Sequence, residues 1–190
     1  MPLVYRYAFP AIWLGWLLYW WAASRDVKST ARREALPSQL LHIVPLLIAM
    51  ILLIVPRVPI AFLRERVVPL TEWPFWLGLC VTCAGLLISV WARLHLGKNW
   101  SGIVTIKKEH ELVTSGPYAF VRHPIYTGLL LGFLGTALAI GDWRAVLAFA
   151  LAAGALWRKL RVEERWMRQQ FGDAYQDYRK RVAALVPFVL

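Results

Sequence analysis

Apolar residues in this chain come in long blocks separated by short basic stretches, and that alternation limits the fold more than any other feature. Five blocks stand out: Ala8 to Ala23 (or Leu3 to Ala23 if Arg6 snorkels), Leu40 to about Leu63, Trp73 to Trp91, Ile125 to Ile140 and Trp143 to Trp157. The second is interrupted by Pro45, Pro56 and Pro59. A helix needs ~20 apolar residues to cross the hydrocarbon of a bilayer. The last two blocks are short for that and turn at Gly141-Asp142, so they read as a helical hairpin in locally thinned membrane. Composition agrees: 59% of the residues are hydrophobic and only 17% charged, where soluble domains are nearer half and a quarter. Disorder and an ordinary soluble globule are both excluded. The expected fold class is all-α, an integral membrane helical bundle of about five transmembrane helices.

A first block preceded by Arg6 and followed by Ala22-Ala23-Ser24 also has the outline of a signal peptide. Its load of Trp and Tyr and the four blocks that follow favour a retained span. Trp20, Trp21, Trp73, Trp76, Trp91, Trp143 and Trp157 fall near block ends, as an interfacial aromatic belt predicts. With five spans, 17 of the 22 Lys and Arg lie on the side of the C-terminus and five on the other. The positive-inside rule then puts the C-terminus in the cytoplasm. The net charge of +11 is thus expected to set topology and to meet anionic membrane lipids, not nucleic acid. Cys80 and Cys83 form a CxxC inside an apolar block with no partner ligands, so no metal site is expected.

Polar chemistry concentrates in two stretches, Gly97 to Tyr126 and Arg158 to Pro187. The hairpin between them brings both to one face of the membrane. In the first, Ser115-Gly116-Pro117 is a tight turn, and Pro124 starts the fourth helix. Arg122 and His123 sit just before that helix N-terminus, where free amides favour an anion or a polar ligand edge. Gly128 and Gly132 make a GxxxG, a close-packing signal that also permits a helix-mediated homodimer. In the second stretch, helical periodicity runs to about Phe171; Gly172 can end the helix and Asp173 can cap another. Glu163-Glu164 stand out there, two adjacent acids in a strongly basic helix. Asn99-Trp100-Ser101 matches a glycosylation sequon on the cytoplasmic side, and His42 and His95 stand alone in the sequence.

GPYAFVRHPIYTG from Gly116, VEER some 35 residues on, and FGDAYQDYRKRV from Phe171 together resemble the isoprenylcysteine carboxyl methyltransferase family. These are membrane methyltransferases related to phospholipid N-methyltransferases. The resemblance covers about Gly97 to Phe188. It implies a single domain over residues 1–190, with transmembrane helices in 1–93 and the cofactor-binding and catalytic half in 94–190. It implies S-adenosylmethionine as methyl donor, S-adenosylhomocysteine as product, and a cytoplasmic pocket between the loop before the fourth helix and the C-terminal helix. The cofactor would be held by His110, Leu112, Val113, Gly116, Tyr118, Arg122, His123, Pro124, Tyr126 and Glu163. A carboxylate at Glu163 would take the cofactor's amino group, and the tyrosines would offer π surface to its sulfonium.

The family's acceptor-binding arginine corresponds to Lys159 here, with Arg161 nearby. Lys159 and Arg161 are therefore the candidates to hold an acceptor carboxylate, and Glu164 the candidate to take a proton from an amine acceptor. The implied partner is a lipophilic or lipidated substrate entering from the bilayer, most simply the carboxylate of an isoprenylcysteine-like acceptor. A phospholipid or small-amine N-methyltransferase is one alternative, although no GxG occurs. A sterol-reductase-like NADPH enzyme is another.

Overall fold

A computed structural model describes residues 3–25, 30–55, 58–69, 71–100, 105–107 and 112–189. Five helices carry the chain: α1 (Leu3–Ala23), α2 (Leu36–Ile54), α3 (Glu72–Leu96), α4 (Pro124–Ile140) and α5 (Trp143–Arg181). The first apolar block takes its longer form, and Arg6 lies inside α1. The second ends earlier than about Leu63. Helix α2 stops at Ile54 with Val55 extended, because Pro56 and Pro59 lack the amide the ladder needs and clash with the preceding turn. Pro45 is accommodated within α2, as membrane helices allow where neighbours support the backbone. Helix α5 runs well past Trp157, so its C-terminal half extends beyond the hairpin with α4. It breaks at Gly172, where φ is +52° and ψ −124°, a conformation that glycine, having no Cβ, adopts cheaply and L residues do not.

Helices α2 and α3 are each long and apolar enough to cross a membrane, with mean hydropathy 2.1 and 2.0. Their outward residues are apolar too: Leu47 is 57% exposed and Leu87 68%. Apolar surface on that scale has no place in water and calls for lipid.

The glycines of α4 hold it against α3. A Cβ on Gly128 would lie 2.3 Å from the Gly85 carbonyl, and one on Gly135 would lie 2.4 Å from that of Gly78. Gly132 faces Leu86 and the Trp13 ring. The GxxxG face is thus used inside one chain, against α3 and α1. Hydroxyls and indoles tie α1 to the same seam. Trp13 Nε1 donates to Thr136 Oγ1 at 3.0 Å, and Trp16 Nε1 to Ser89 Oγ at 2.7 Å.

At one end of the bundle the α4–α5 turn is pinned from outside: Gly141 O accepts the amides of Val67 and Val68 at 2.9 and 3.1 Å. At the other end a two-stranded antiparallel ladder, β1 (Thr30–Arg33) with β2 (Thr105–Lys107), joins the loops after α1 and α3. Here α4 begins, α3 ends and α5 projects, so the polar stretches do converge.

Candidate functional site

The loop before α4 is locked in place by the chain's own tail. Gly116, at φ +60°, opens a 3-10 turn (Gly116–Ala119). A Cβ there would meet the His95 ring at 2.6 Å. The amides of Arg122 and His123 donate to Ala183 and Ala184 carbonyls at 2.8 and 3.1 Å. The Arg122 guanidinium donates to Glu164 Oε1 at 2.8 Å, to the Arg179 carbonyl at 3.2 Å and to the Val182 carbonyl. Tyr178 OH donates to the Tyr118 carbonyl at 2.5 Å. After the Gly172 break, the end of α5 therefore folds back over the loop and closes one side of a cavity.

That cavity, about 220 Å³, lies between α1, α2, α4, α5 and the loop. One wall is apolar, with Trp16, Trp20, Leu46, Leu129 and Leu156 facing the bundle interior. The other is polar, with Lys159 and Glu163 one helical turn apart on α5 beside His123 and Tyr126. Tyr126 OH donates to Glu163 Oε1 at 2.5 Å. Glu163 Oε2 lies 3.6 Å from His123 Nδ1, and Glu164 Oε1 lies 3.6 Å from His123 Nε2. Both are ion-pair separations, too long for a hydrogen bond. The His123 and Tyr126 rings stack within 3° of parallel, and Lys159 Nζ sits 5.5 Å over the Tyr126 ring. Asn99, also in the wall, has a buried Oδ1 with no hydrogen-bond partner.

These contacts set the charges. Burial alone would raise the Glu163 carboxyl, but His123, Lys159 and the Tyr126 hydroxyl outweigh it and hold it below the ordinary carboxylate range. Burial would likewise raise Glu164, yet His123 and Arg122 bring it down to about 2. His123 moves the opposite way: burial favours the neutral ring, but the two glutamates win and raise it. Burial pushes the Tyr118 phenol far up and Tyr178 to about 12, so both stay neutral donors.

The consequence for stability has a definite sign. Glu164 contributes fully above the unfolded carboxylate value, ~4.3, and its contribution fades as pH falls through about 2. His123 contributes fully below ~6.5 and its contribution fades as pH rises through its raised value. Resistance of the detergent-solubilised protein to thermal unfolding is expected to fall on the alkaline side, and His123→Gln is expected to flatten that part of the profile. An unchanged alkaline fall in the variant would remove His123 as its source.

The structure gathers Leu112, Val113, Tyr118, Arg122, His123, Tyr126, Lys159 and Glu163 around the cavity. Pro124 is buried and starts α4, and Gly116 packs on His95; neither faces the cavity. Glu164 turns to the tail, paired with Arg122 and Arg179. Arg161 lies on another face of α5, its guanidinium 5.9 Å over the Trp157 ring. His110 falls outside the described residues. Trp16, Trp20, Asn99, Trp100, Tyr175 and Tyr178 also line the cavity, and the sequence pattern gives none of them a site role. Trp20 was expected in the interfacial belt, and Tyr175 and Tyr178 appeared only as motif letters. Their three-residue spacing after a helix-breaking glycine was the available signal.

Known proteins are similar to this chain over this region. A sequence profile described as phospholipid methyltransferase matches residues 73–174. Protein-S-isoprenylcysteine O-methyltransferase of Schizosaccharomyces pombe is 37% identical over 113 residues, covering 56% of this chain and 47% of that protein. Protein-S-isoprenylcysteine O-methyltransferase B of Arabidopsis thaliana is 32% identical over 123 residues, covering 62% and 61%. The chain thus spans less than two thirds of either relative. The solved eukaryotic intramembrane Ras methyltransferase, an isoprenylcysteine carboxyl methyltransferase, superimposes with a TM-score of 0.54 at 30% identity over 62% of this chain and 43% of that one. The profile takes in α3, the loop, α4 and α5 to just past the Gly172 break, which together supply the polar wall of the cavity, and by that match the chain belongs to the phospholipid methyltransferase family.

Proposed function

We propose that this protein is a membrane methyltransferase that uses S-adenosylmethionine to methylate the carboxylate of a lipophilic, isoprenylcysteine-like acceptor. The observation that carries the reading is the pairing of Glu163 and Lys159 in one cavity, a carboxylate and an ammonium on the same face of α5. The residues present suit the donor. Glu163 offers a negative charge to an amino group, the orphaned Asn99 Oδ1 accepts from a ligand N–H or O–H, and Trp20, Trp100 and Tyr126 offer π surface to a flat ring or a sulfonium. When bound, the donor supplies an electrophilic methyl group, and transfer to a carboxylate needs no proton removed. The chain's work is then alignment and exclusion of water, effects that together reach roughly 7–11 kcal/mol. Lys159 places the acceptor carboxylate, and the Tyr175–Tyr178 wall keeps solvent out. The apolar side of Trp16, Leu46 and Leu129 takes the acceptor's hydrocarbon from the bilayer.

All five helices cross the membrane in this reading, with the site and the C-terminus cytoplasmic, as the 17-to-5 split of basic residues favours. A cationic amine acceptor is disfavoured by Lys159. A nicotinamide phosphate is disfavoured because Arg122 is already engaged by Glu164 and two carbonyls.

Incubating the purified protein with deuterated donor and an S-prenylated cysteine is expected to give a labelled methyl ester, and none when the acceptor carboxyl is an amide. Lys159→Gln is expected to raise the acceptor KM at least about tenfold, the weight of one charge-assisted contact, with little change in donor affinity. Equal labelling of acid and amide would end the carboxylate assignment.

A further inference from the structure

A second concavity, about 500 Å³, lies on the opposite side of α5, where α5 meets the start of α2. Arg158, Arg161 and Arg165 line it together with Trp166, Ser38 and Glu34. The arginines are spaced by three and four residues, so they share one helical face. Like charges so placed repel, and an anion between them relieves the repulsion. Glu34 supplies it for Arg158 alone. It is only 5% exposed, accepts from Ser38 Oγ and pairs with Arg158 at 3.6 Å. Arg158 is itself fixed, donating to Ser38 Oγ at 2.8 Å and lying 3.0 Å from His42 Nδ1. The rim is left with Arg161 and Arg165, both exposed.

The surroundings identify the source of the anion. Arg158 follows directly on Trp157, at the membrane end of α5, and Trp157 is half exposed. On the neighbouring α2 surface Leu36 is 73% exposed and Leu40 52%. A phosphate among the arginines would have apolar side chains immediately beside it along the bilayer. We propose that this groove binds the headgroup of an anionic phospholipid of the inner leaflet, with the phosphate at Arg161 and Arg165 and an acyl chain along Leu36 and Leu40. The site is separate from the donor cavity and does not depend on the methyltransferase reading.

Native mass spectrometry of the delipidated full chain tests it, titrating phosphatidylglycerol against phosphatidylcholine. Wild type is expected to prefer phosphatidylglycerol, and Arg161→Gln/Arg165→Gln is expected to weaken that lipid by about 10- to 30-fold, as two basic residues at a membrane surface do. Lys180→Gln/Arg181→Gln removes equal charge elsewhere and is expected to keep the preference. If the first pair fails to fold, Arg161→Lys/Arg165→Lys is expected to retain the preference within about threefold of wild type. No preference in wild type, or its loss in both glutamine pairs or in the lysine pair, overturns the site. Free glycerol phosphate competing as well as the lipid overturns the leaflet as its source.

Discussion

Replacing Glu163 with alanine is expected to weaken binding of S-adenosylmethionine and S-adenosylhomocysteine by about 100-fold or more, measured by calorimetry in detergent. A hydrogen bond to a charged group contributes ~1.5–3 kcal/mol, and tenfold in affinity is about 1.4 kcal/mol. The alanine variant also strands Tyr126 OH and leaves His123 with one carboxylate where it had two. Glu163→Gln keeps an acceptor for Tyr126 but loses the charge, so an intermediate loss of about tenfold is expected. Because His123, Lys159 and Tyr126 hold the Glu163 carboxyl below its ordinary range, wild-type binding is expected to persist through mild acid, down to pH 5. Full affinity in the alanine variant would show that the donor does not rest on this carboxylate, and the proposed function would lose its foundation.

The second large effect falls on the tail. The Arg122 side chain joins the loop to the α5 shaft at Glu164 and to the returning backbone at Arg179 and Val182. Its side chain is 8% exposed and that of Glu164 6%. Arg122→Ala removes the closest partner of a buried carboxylate, a change that costs about 3–5 kcal/mol. Arg179 at 3.4 Å and His123 remain, so the lower figure is expected. The tail after Gly172 should then become sensitive to protease, and donor affinity should fall because Tyr175 and Tyr178 leave the cavity wall. Arg122→Ala/Glu164→Gln, which removes the stranded charge as well, is expected to recover part of the stability. A double variant no more stable than the single one would show that the pair is not what holds the tail.

The two variants separate kinds of information present in the chain. Glu163 was visible early, because an acid pair in a basic helix needs a reason and the surrounding letters match a family. Its neighbour was not resolved. Adjacent helix positions differ by 100° of rotation, and nothing local says which of Glu163 and Glu164 faces the cavity and which faces the tail. Two positions, about 200° of rotation, separate Lys159 from Arg161: one lies beside Tyr126, the other at the groove between α5 and the start of α2. Arg122 was expected at the donor, and it does border the cavity, yet its donors go to Glu164 and the tail carbonyls. Trp16, Trp20 and Leu46 come from the first two helices, which carry no motif, so their role depends on contacts distant in sequence.

Hydrophobic block length, proline and glycine placement, and the distribution of basic residues determined the helices, their breaks near Pro56 and at Gly172, and the end of the bundle where polar groups gather. These follow from backbone hydrogen bonding and transfer free energy, which act over a turn or two and can be read along a line. The face each side chain presents, the closure of the tail over the loop, and the burial of the GxxxG seam inside one chain were decided only by tertiary packing. They depend on which helices come within van der Waals reach, and that is settled by the fit of whole surfaces, not by any single segment.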